Sequence, residues 1–356
     1  MNGLASTPWN IAVGGTDFYY TDYASGAPSA STFWNAANDP VTKGSLKIPI
    51  TEQVWNDAYG LDAYRSGTYA AGGGASNCAN VNDLTGGCVS GYAKPAWQTG
   101  PGVPADGVRD IPDVSLFASN GANYSAYVIC DSEGDCTPDA SGNFNFLLVG
   151  GTSGSTPAMA AIMALVVQKY GRQGQADTVL YPLAQQKSTA FHDVTLGGNW
   201  DTCVQGDADC TLNAGSGQGE STAYSAAAGF DLASGWGSVD AANLVNNWNA
   251  IAFSSTATSL QVSPSTVTHG QNVTLKASVT PTSGSGTPTG TVAILANSPL
   301  PSNGSQTAIA LSGGGGSASV NDLPGGTYEL TAHYGGDGVF ASSTSQPETL
   351  TVSPED

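Results

Sequence analysis

Two different periodicities divide this chain. From "STATSLQVSPSTVTHGQNVTLKASVTP" to "YELTAHYGGDGVFASSTSQPETLTVSP", Val, Leu and Thr alternate with small polar residues at period two, and Pro, Gly and Asn punctuate the alternation. Short antiparallel strands of a sandwich are predicted there, with a boundary near Phe253 and an all-β domain over residues 253–356. Residues 1–252 read differently. "NIAVGG" and "FNFLLVGG" predict short buried strands that run into glycine turns, while Pro157–Tyr170 and Val239–Trp248 predict helices, the second with Ser238 as its cap and Asp240 in its first turn. Apolar strands feeding helices predict an α/β layer around a parallel sheet. Gly/Ser/Asn-rich loops fill the remainder, notably 66–108 and 197–222.

The segment "VGGTSGSTPAMAAIMALVVQKYG" at 149–171 concentrates the candidate chemistry. Its glycines permit a tight turn after a strand, and Pro157 is tolerated in a first helical turn, where its missing N–H would be unpaired. Ser153 is thereby delivered to a helix N-terminus, where free amides and the helix dipole would stabilise an oxyanion. Beyond it Met159, Ile162, Met163, Leu165, Val166 and Val167 leave almost no polar face, so the helix is expected to be buried on most sides. A serine at such a place is either a nucleophile or the helix N-cap.

Composition narrows the setting. With 28 acidic and 9 basic residues the formal net charge is −19, and no basic cluster could track a phosphate backbone, so nucleic acid and anionic membrane are not expected partners. Charged residues make up only 10% of the chain; neutral polar side chains keep such a surface soluble where carboxylates begin to protonate. The longest apolar run, Ala158–Val167, is about half of what a bilayer span requires, so no membrane insertion is expected. Six cysteines fall into three close pairs, Cys78 with Cys88, Cys130 with Cys136 and Cys203 with Cys210, and none has a metal-binding Cys-x-x-Cys spacing. Local disulfides, and with them an oxidising, extracellular location, are expected. "MNGLASTPWNIAVGG" has no basic, apolar leader, so either a signal was removed or the natural start lies elsewhere.

"GGTSGSTPAMAAIMAL" resembles the Gly-Thr-Ser-x-x-x-Pro-x-x-Ala nucleophile segment shared by subtilisins and sedolisins. None of His192, His269 or His333 stands in the His-Gly-Thr context of a subtilisin base. "ASTPWNIAVGGTDF" at 5–18, "SGYAKPAWQ" at 90–98 and "RDIPDVSLFA" at 109–118 resemble sedolisin segments in family order. The resemblance to the sedolisin, or serine-carboxyl peptidase, family implies a subtilisin-like parallel-sheet peptidase domain over 1–252, N-terminally incomplete. Its activity would be that of a secreted serine-type endopeptidase cleaving proteins or peptides at acidic pH. Ser153 would be the nucleophile, a Glu its base, an Asp behind that Glu, and a second, protonated Asp part of the oxyanion hole. A carboxylate base still accepts a proton at pH values where histidine is already charged.

Those three acids precede the "AVGGT" strand in the family, and here that strand starts at residue 12, so they are expected upstream of this chain. Of the Glu residues before the sandwich, Glu52, Glu133 and Glu220, none has an Asp four residues later. Asp106 with Asp110 and Asp135 with Asp139 have the spacing, but they lie in loops and read as solvated. On this reading the isolated chain is nearly inactive and exposes sheet that the missing half would cover. The alternative is a non-catalytic relative serving as a secreted binding or structural module.

"FHDVT" at 191–195 and "YSAAAGFDLASGWGS" at 224–238 resemble the sedolisin calcium site. Carried over, Asp193 and Asp231 supply carboxylates and Val194, Ala227 and Gly229 supply carbonyls to one structural Ca²⁺, a donor set of hard oxygens. The rival readings are that these aspartates cap turns, and that Asp207 and Asp209 form a second acidic cluster. The period-two region, with "YGGDGVFASSTS", resembles the bacterial Ig-like repeats appended to secreted enzymes, implying a spacer or adhesion module that contacts a cell surface or polymeric substrate. Asn123, Asn272 and Asn303 stand in glycosylation sequons.

Overall fold

The computed structural model describes residues 3–20, 30–42, 44–58, 69–81, 87–130, 136–143, 146–171, 173–186, 188–206, 210–215, 217–221, 224–297 and 308–354. Glu133, Asp135, Asp207, Asp209 and Asn303 lie outside the described residues. The chain forms two compact units, one of residues 1–94, 100–171 and 187–247, the other of 95–99, 172–186 and 248–356.

Among the strands of the first unit are β1 (Val13–Phe18), β2 (Glu52–Val54), β3 (Val114–Phe117), β4 (Tyr127–Ile129), β5 (Leu147–Val149), β6 (Phe191–His192) and β7 (Ser238–Val239). Five of them make one sheet in the order β6-β7-β3-β1-β2. β1 and β7 run parallel to β3, whereas β2 and β6 are antiparallel edges, so the sheet is mixed rather than parallel throughout. Val13 and Gly14 stand opposite Val114 and Ser115. The "RDIPDVS" segment explains why the two strand starts meet. Arg109 grips Asp113 with both guanidinium nitrogens, at 2.7 and 2.5 Å, and Asp113 Oδ2 also accepts the Ala12 amide at 2.7 Å. All three groups are buried, so one carboxylate satisfies a buried cation and fixes β1 to β3.

α1 (Thr152–Tyr170) packs on β1 and β3, and is tethered by the buried Ser155 hydroxyl, which donates to Gly14 O at 3.0 Å. The expected burial on most sides is not found. Ser155, Met159 and Val166 are buried, but Leu165 is 50% and Val167 42% exposed, because the sheet and α3 offer this all-apolar helix cover on one side only among the described residues. "FNFLLVGG" is not a strand of the main sheet either; β5 pairs antiparallel with β4 in a largely exposed ribbon.

α2 (Asp177–Gln186), which the sequence pattern did not announce, carries Pro182 inside it and belongs to the second unit, where Tyr181 packs on Trp97 with ring centroids 5.0 Å apart. α3 (Ala241–Asn247) is capped by Asp240, not Ser238: Asp240 Oδ1 accepts the Asn243 amide at 2.8 Å. Ser238 is instead a residue of β7. All three cysteine pairs are bonded as expected, with Cα separations of 5.0, 5.5 and 5.8 Å.

The second unit contains a two-sheet sandwich. One sheet joins Thr256–Ser263, Val273–Pro281 and Gly315–Val320; the other includes Thr266–Thr268, Glu348–Ser353, Gly326–Tyr334, Thr291–Ala296 and Ala308–Ala310. Alternate residues Val273, Leu275, Ala277 and Val279 point inward against Ile294, Leu330 and Leu350, as the period-two pattern requires. The Tyr328 hydroxyl donates to Pro324 O at 2.8 Å, a corner contact of the kind found in immunoglobulin-like sandwiches.

Candidate active site

The turn between β5 and α1 is shaped by two glycines. A side chain at Gly150 would lie 2.3 Å from Ser119 O, and Gly151 has φ 80°, a conformation that strongly favours glycine. Gly151 donates its amide to Ala118 O and is itself the residue that caps α1. Ser153 is therefore the second residue of the helix, exposed, and free of the capping task that was its rival role. Its own amide stands among the first helical N–H groups, which have no carbonyl partner within the helix.

No histidine is turned toward it. His192 faces Glu52 at 3.6 Å and Ser238 at 3.4 Å, and its pKa is raised by the hydrogen bond to Glu52; His269 and His333 bond to Leu323 O and Thr344 Oγ1 inside the sandwich. Glu52 also accepts the Ser238 hydroxyl at 2.8 Å. Of the acid pairs with four-residue spacing, Asp139 is an exposed turn residue accepting amides of Ser141 and Asn143. Asp110 is not solvated as expected. It is buried and paired with Lys94, which reaches Asp106 as well at 3.1 Å.

The acids that the sequence reading passed over are Asp17 and Asp57. Asp17 directly follows the "VGGT" of β1, is fully buried, and accepts Asn123 Nδ2, Ser125 Oγ and its neighbour's amide, each at 2.7 Å. Burial raises its pKa despite those bonds. The amide of Asn123 is thus enclosed, so its sequon is closed to glycosylation in the folded chain, whereas Asn272 is exposed. Asp57 accepts Trp55 Nε1 at 2.7 Å, and burial pushes its pKa to about 6, with a smaller contribution from the Asp17 charge. The glycines of "NIAVGG" do not turn the chain but lie within β1, and an Asp two residues after them was the one weak signal.

Residues 260–353 match the model of a bacterial Ig-like domain (group 3). The chain is 28% identical over 207 residues to kumamolisin from Bacillus sp. (strain MN-32), covering 52% of this chain and 30% of that protein. It is 28% identical over 243 residues to sedolisin from Pseudomonas sp. (strain 101), covering 67% of this chain and 29% of that protein. The chain is thus similar to sedolisins and, over residues 260–353, to a bacterial Ig-like domain. A solved structure of Pseudomonas sedolisin, a serine-carboxyl proteinase complexed with two molecules of pseudo-iodotyrostatin, aligns at 25% identity with a TM-score of 0.42, covering 70% of this chain and 48% of that one. The chain spans about three tenths of the length of the curated proteins it matches.

In the sedolisin-like part, both candidate metal carboxylates meet one turn. Asp193 Oδ2 accepts the Gly229 amide at 3.0 Å, and Asp231 Oδ2 accepts the Ala227 amide at 3.0 Å. Asp231 Oδ1 accepts the amides of Ala233 and Ser234 at 2.9 and 2.8 Å and is also bonded by the Ser234 hydroxyl, so it does cap a turn; burial raises its pKa. The buried Val194 follows Asp193 directly. Two carboxylates thus converge on the segment that bears the Ala227 and Gly229 carbonyls, and hard oxygens of this type fit Ca²⁺. Among the described residues no group of three or more His, Cys, Asp or Glu side chains is placed to hold a metal, so an ion here would depend on those carbonyls.

Proposed function

We propose that this chain is the nucleophile-bearing part of a secreted, acid-acting serine-type endopeptidase with a subtilisin-like arrangement around its central parallel strands. The observation that carries the reading is Ser153 itself, exposed in the first turn of a helix whose cap is Gly151. A serine that is not needed to close its own helix, in that helix's first turn, is placed for nucleophilic attack. Kinship with kumamolisin and sedolisin supports protein or peptide substrates.

In the proposed reaction Ser153 Oγ attacks the carbonyl carbon of the scissile peptide, passing its proton to a carboxylate base. The oxyanion is held by the first amides of α1. The C–N bond then breaks as the departing nitrogen takes a proton, and water hydrolyses the remaining ester. As the family resemblance implies, the Glu/Asp base and the oxyanion Asp would be supplied by segments that precede the counterpart of β1 in the family. One structural Ca²⁺ would be held by Asp193, Val194, Ala227, Gly229 and Asp231, adding fixed charge to a turn that already carries two carboxylates. The Ig-like module would serve as the contact to a cell surface or polymeric substrate. Three disulfides are consistent with secretion, and no helix among the described residues is long and apolar enough to cross a membrane.

Acid proteolysis by the protein purified from its source, compared with its Ser153→Ala variant, tests the reading. Loss of activity on substitution is expected; equal activity would remove Ser153 from the mechanism.

A further inference from the structure

Besides the sandwich, the second unit holds two stretches from the part of the chain that resembles sedolisins, Pro95–Thr99 and residues 172–186 with α2. These two are joined to each other. Trp97 packs on Tyr181 with ring centroids 5.0 Å apart, Gln98 Nε2 donates to the Tyr181 hydroxyl at 2.7 Å, and Gln185 Nε2 donates to Thr99 O at 2.9 Å. Trp97, Gln98, Thr178 and Tyr181 are all buried. Part of their cover is the sandwich loop 335–340. A side chain at Gly335 would place its Cβ 3.4 Å from Cβ of Gln175, and one at Gly338 would lie 3.5 Å from Trp97 and 3.8 Å from Pro182. Gly335 O stands 3.4 Å from the Thr178 hydroxyl. Glycine at these positions is what lets the loop backbone come so close.

The sandwich itself fixes the shape of this loop. Asp337, buried at its centre, accepts the amides of Val339 and Phe340 through Oδ1 at 3.0 and 2.8 Å, and the amide and hydroxyl of Thr289 through Oδ2 at 3.0 and 2.9 Å. Phe340 is anchored in the sandwich core. The connection that leads into the sandwich is fastened at both ends. Trp248 is buried and donates its indole N–H to Gln173 Oε1 at 2.7 Å, while Ser254 donates its amide to Val339 O at 3.0 Å and accepts that of Ala341 at 2.9 Å. A loop ordered beforehand gives up little conformational freedom on docking, and a short, fastened connection keeps it beside α2 at high effective concentration. We propose that loop 335–340 is an intramolecular docking surface whose partner is α2 with the Trp97 segment. The Ig-like module is then a brace for those two stretches rather than a freely tethered spacer. Its 335–340 end is occupied, so an external ligand must use another face of the sandwich.

The test uses the full 356-residue chain. The 3.4 Å between the Cβ positions of residues 175 and 335 is close to the roughly 3.8 Å typical of a disulfide, so Gln175→Cys combined with Gly335→Cys should form a bridge on mild oxidation. Mass spectrometry of the proteolytic fragments, before and after reduction, is expected to show 175 joined to 335 beside the three native pairs, and the bridged chain should melt at a higher temperature than its reduced form. Separately, Gly335→Glu places a charge against Gln175 at a position whose backbone is not left-handed. Hydrogen exchange of the α2 amides should then accelerate about ten-fold or more, while amides of Val273–Pro281 and Gly326–Tyr334 exchange as in the parent. Absence of the 175–335 bridge in a chain whose sandwich strands stay protected, or α2 exchange unchanged by Gly335→Glu, would overturn the brace. Where Gly335→Glu also loosens the sandwich strands, the bridge decides alone.

Discussion

Replacing Asp57 by Asn isolates the cost of one buried carboxylate. Asp57 has no exposed surface; one oxygen accepts the Trp55 indole N–H at 2.7 Å and the other, Oδ1, is buried without a hydrogen-bond partner. Burial lifts its pKa from 3.8 to about 6. Between these values the folded chain holds a proton that the unfolded chain has released, so stability falls as pH rises. The contribution is full below 3.8 and lost above about 6, and the displacement corresponds to at most about 3 kcal/mol. Asn keeps an acceptor for Trp55 and cannot ionise. Its own fixed penalty, an amide where Oδ1 has no partner, is the same at every pH. The difference between variant and parent therefore changes by up to about 3 kcal/mol in the variant's favour between pH 3.5 and pH 7, or about 6–12 °C in melting temperature for a unit of this size. Calorimetry of the first unit's transition at the two pH values measures it. The same melting difference at both would refute the buried, neutral carboxyl.

Other outcomes follow from the same contacts. Arg109→Met leaves Asp113 charged and buried, and should cost about 3–5 kcal/mol in urea denaturation, whereas a cost under about 1 kcal/mol would mean the pair does not join β1 to β3. Ser155→Ala removes the bond to Gly14 O and should lower stability by about 1 kcal/mol in urea denaturation, whereas an unchanged midpoint would mean that the hydroxyl does not tether α1 to β1. For the metal, millimolar Ca²⁺ should raise the melting temperature of the chain, and Asp193→Asn should abolish that increment while leaving the metal-free melting temperature close to that of the parent. An increment that survives in Asp193→Asn would remove Asp193 from the site.

What could be read from the sequence was local. The sandwich was legible because alternation over Thr256–Ser263 and Val273–Pro281 is the direct imprint of one buried face, and the disulfides because each pair closes a short loop. The place of Ser153 at a helix start was legible from glycines whose conformational demands are specific. Less was available where the answer depends on distant partners. The apolar run of α1 signals burial, but what covers Leu165 and Val167 is not a property of the helix. β5 is more apolar than β1, yet it pairs with β4 outside the main sheet. Asp240 rather than Ser238 caps α3 because Ser238 is claimed by β7 and by Glu52. Asp17 gave almost no signal, since its partners Asn123 and Ser125 lie about a hundred residues away in an ordinary loop.

The nucleophile is tested most directly by trapping the acyl intermediate. The protein from its source is mixed with a peptide ester at acidic pH, quenched in acid within milliseconds, and its proteolytic fragments are weighed by mass spectrometry. The fragment bearing Ser153 should gain the mass of the acyl group, and the Ser153→Ala protein should gain none. An acyl group on another residue, or full turnover by the Ser153→Ala protein, would contradict the assignment.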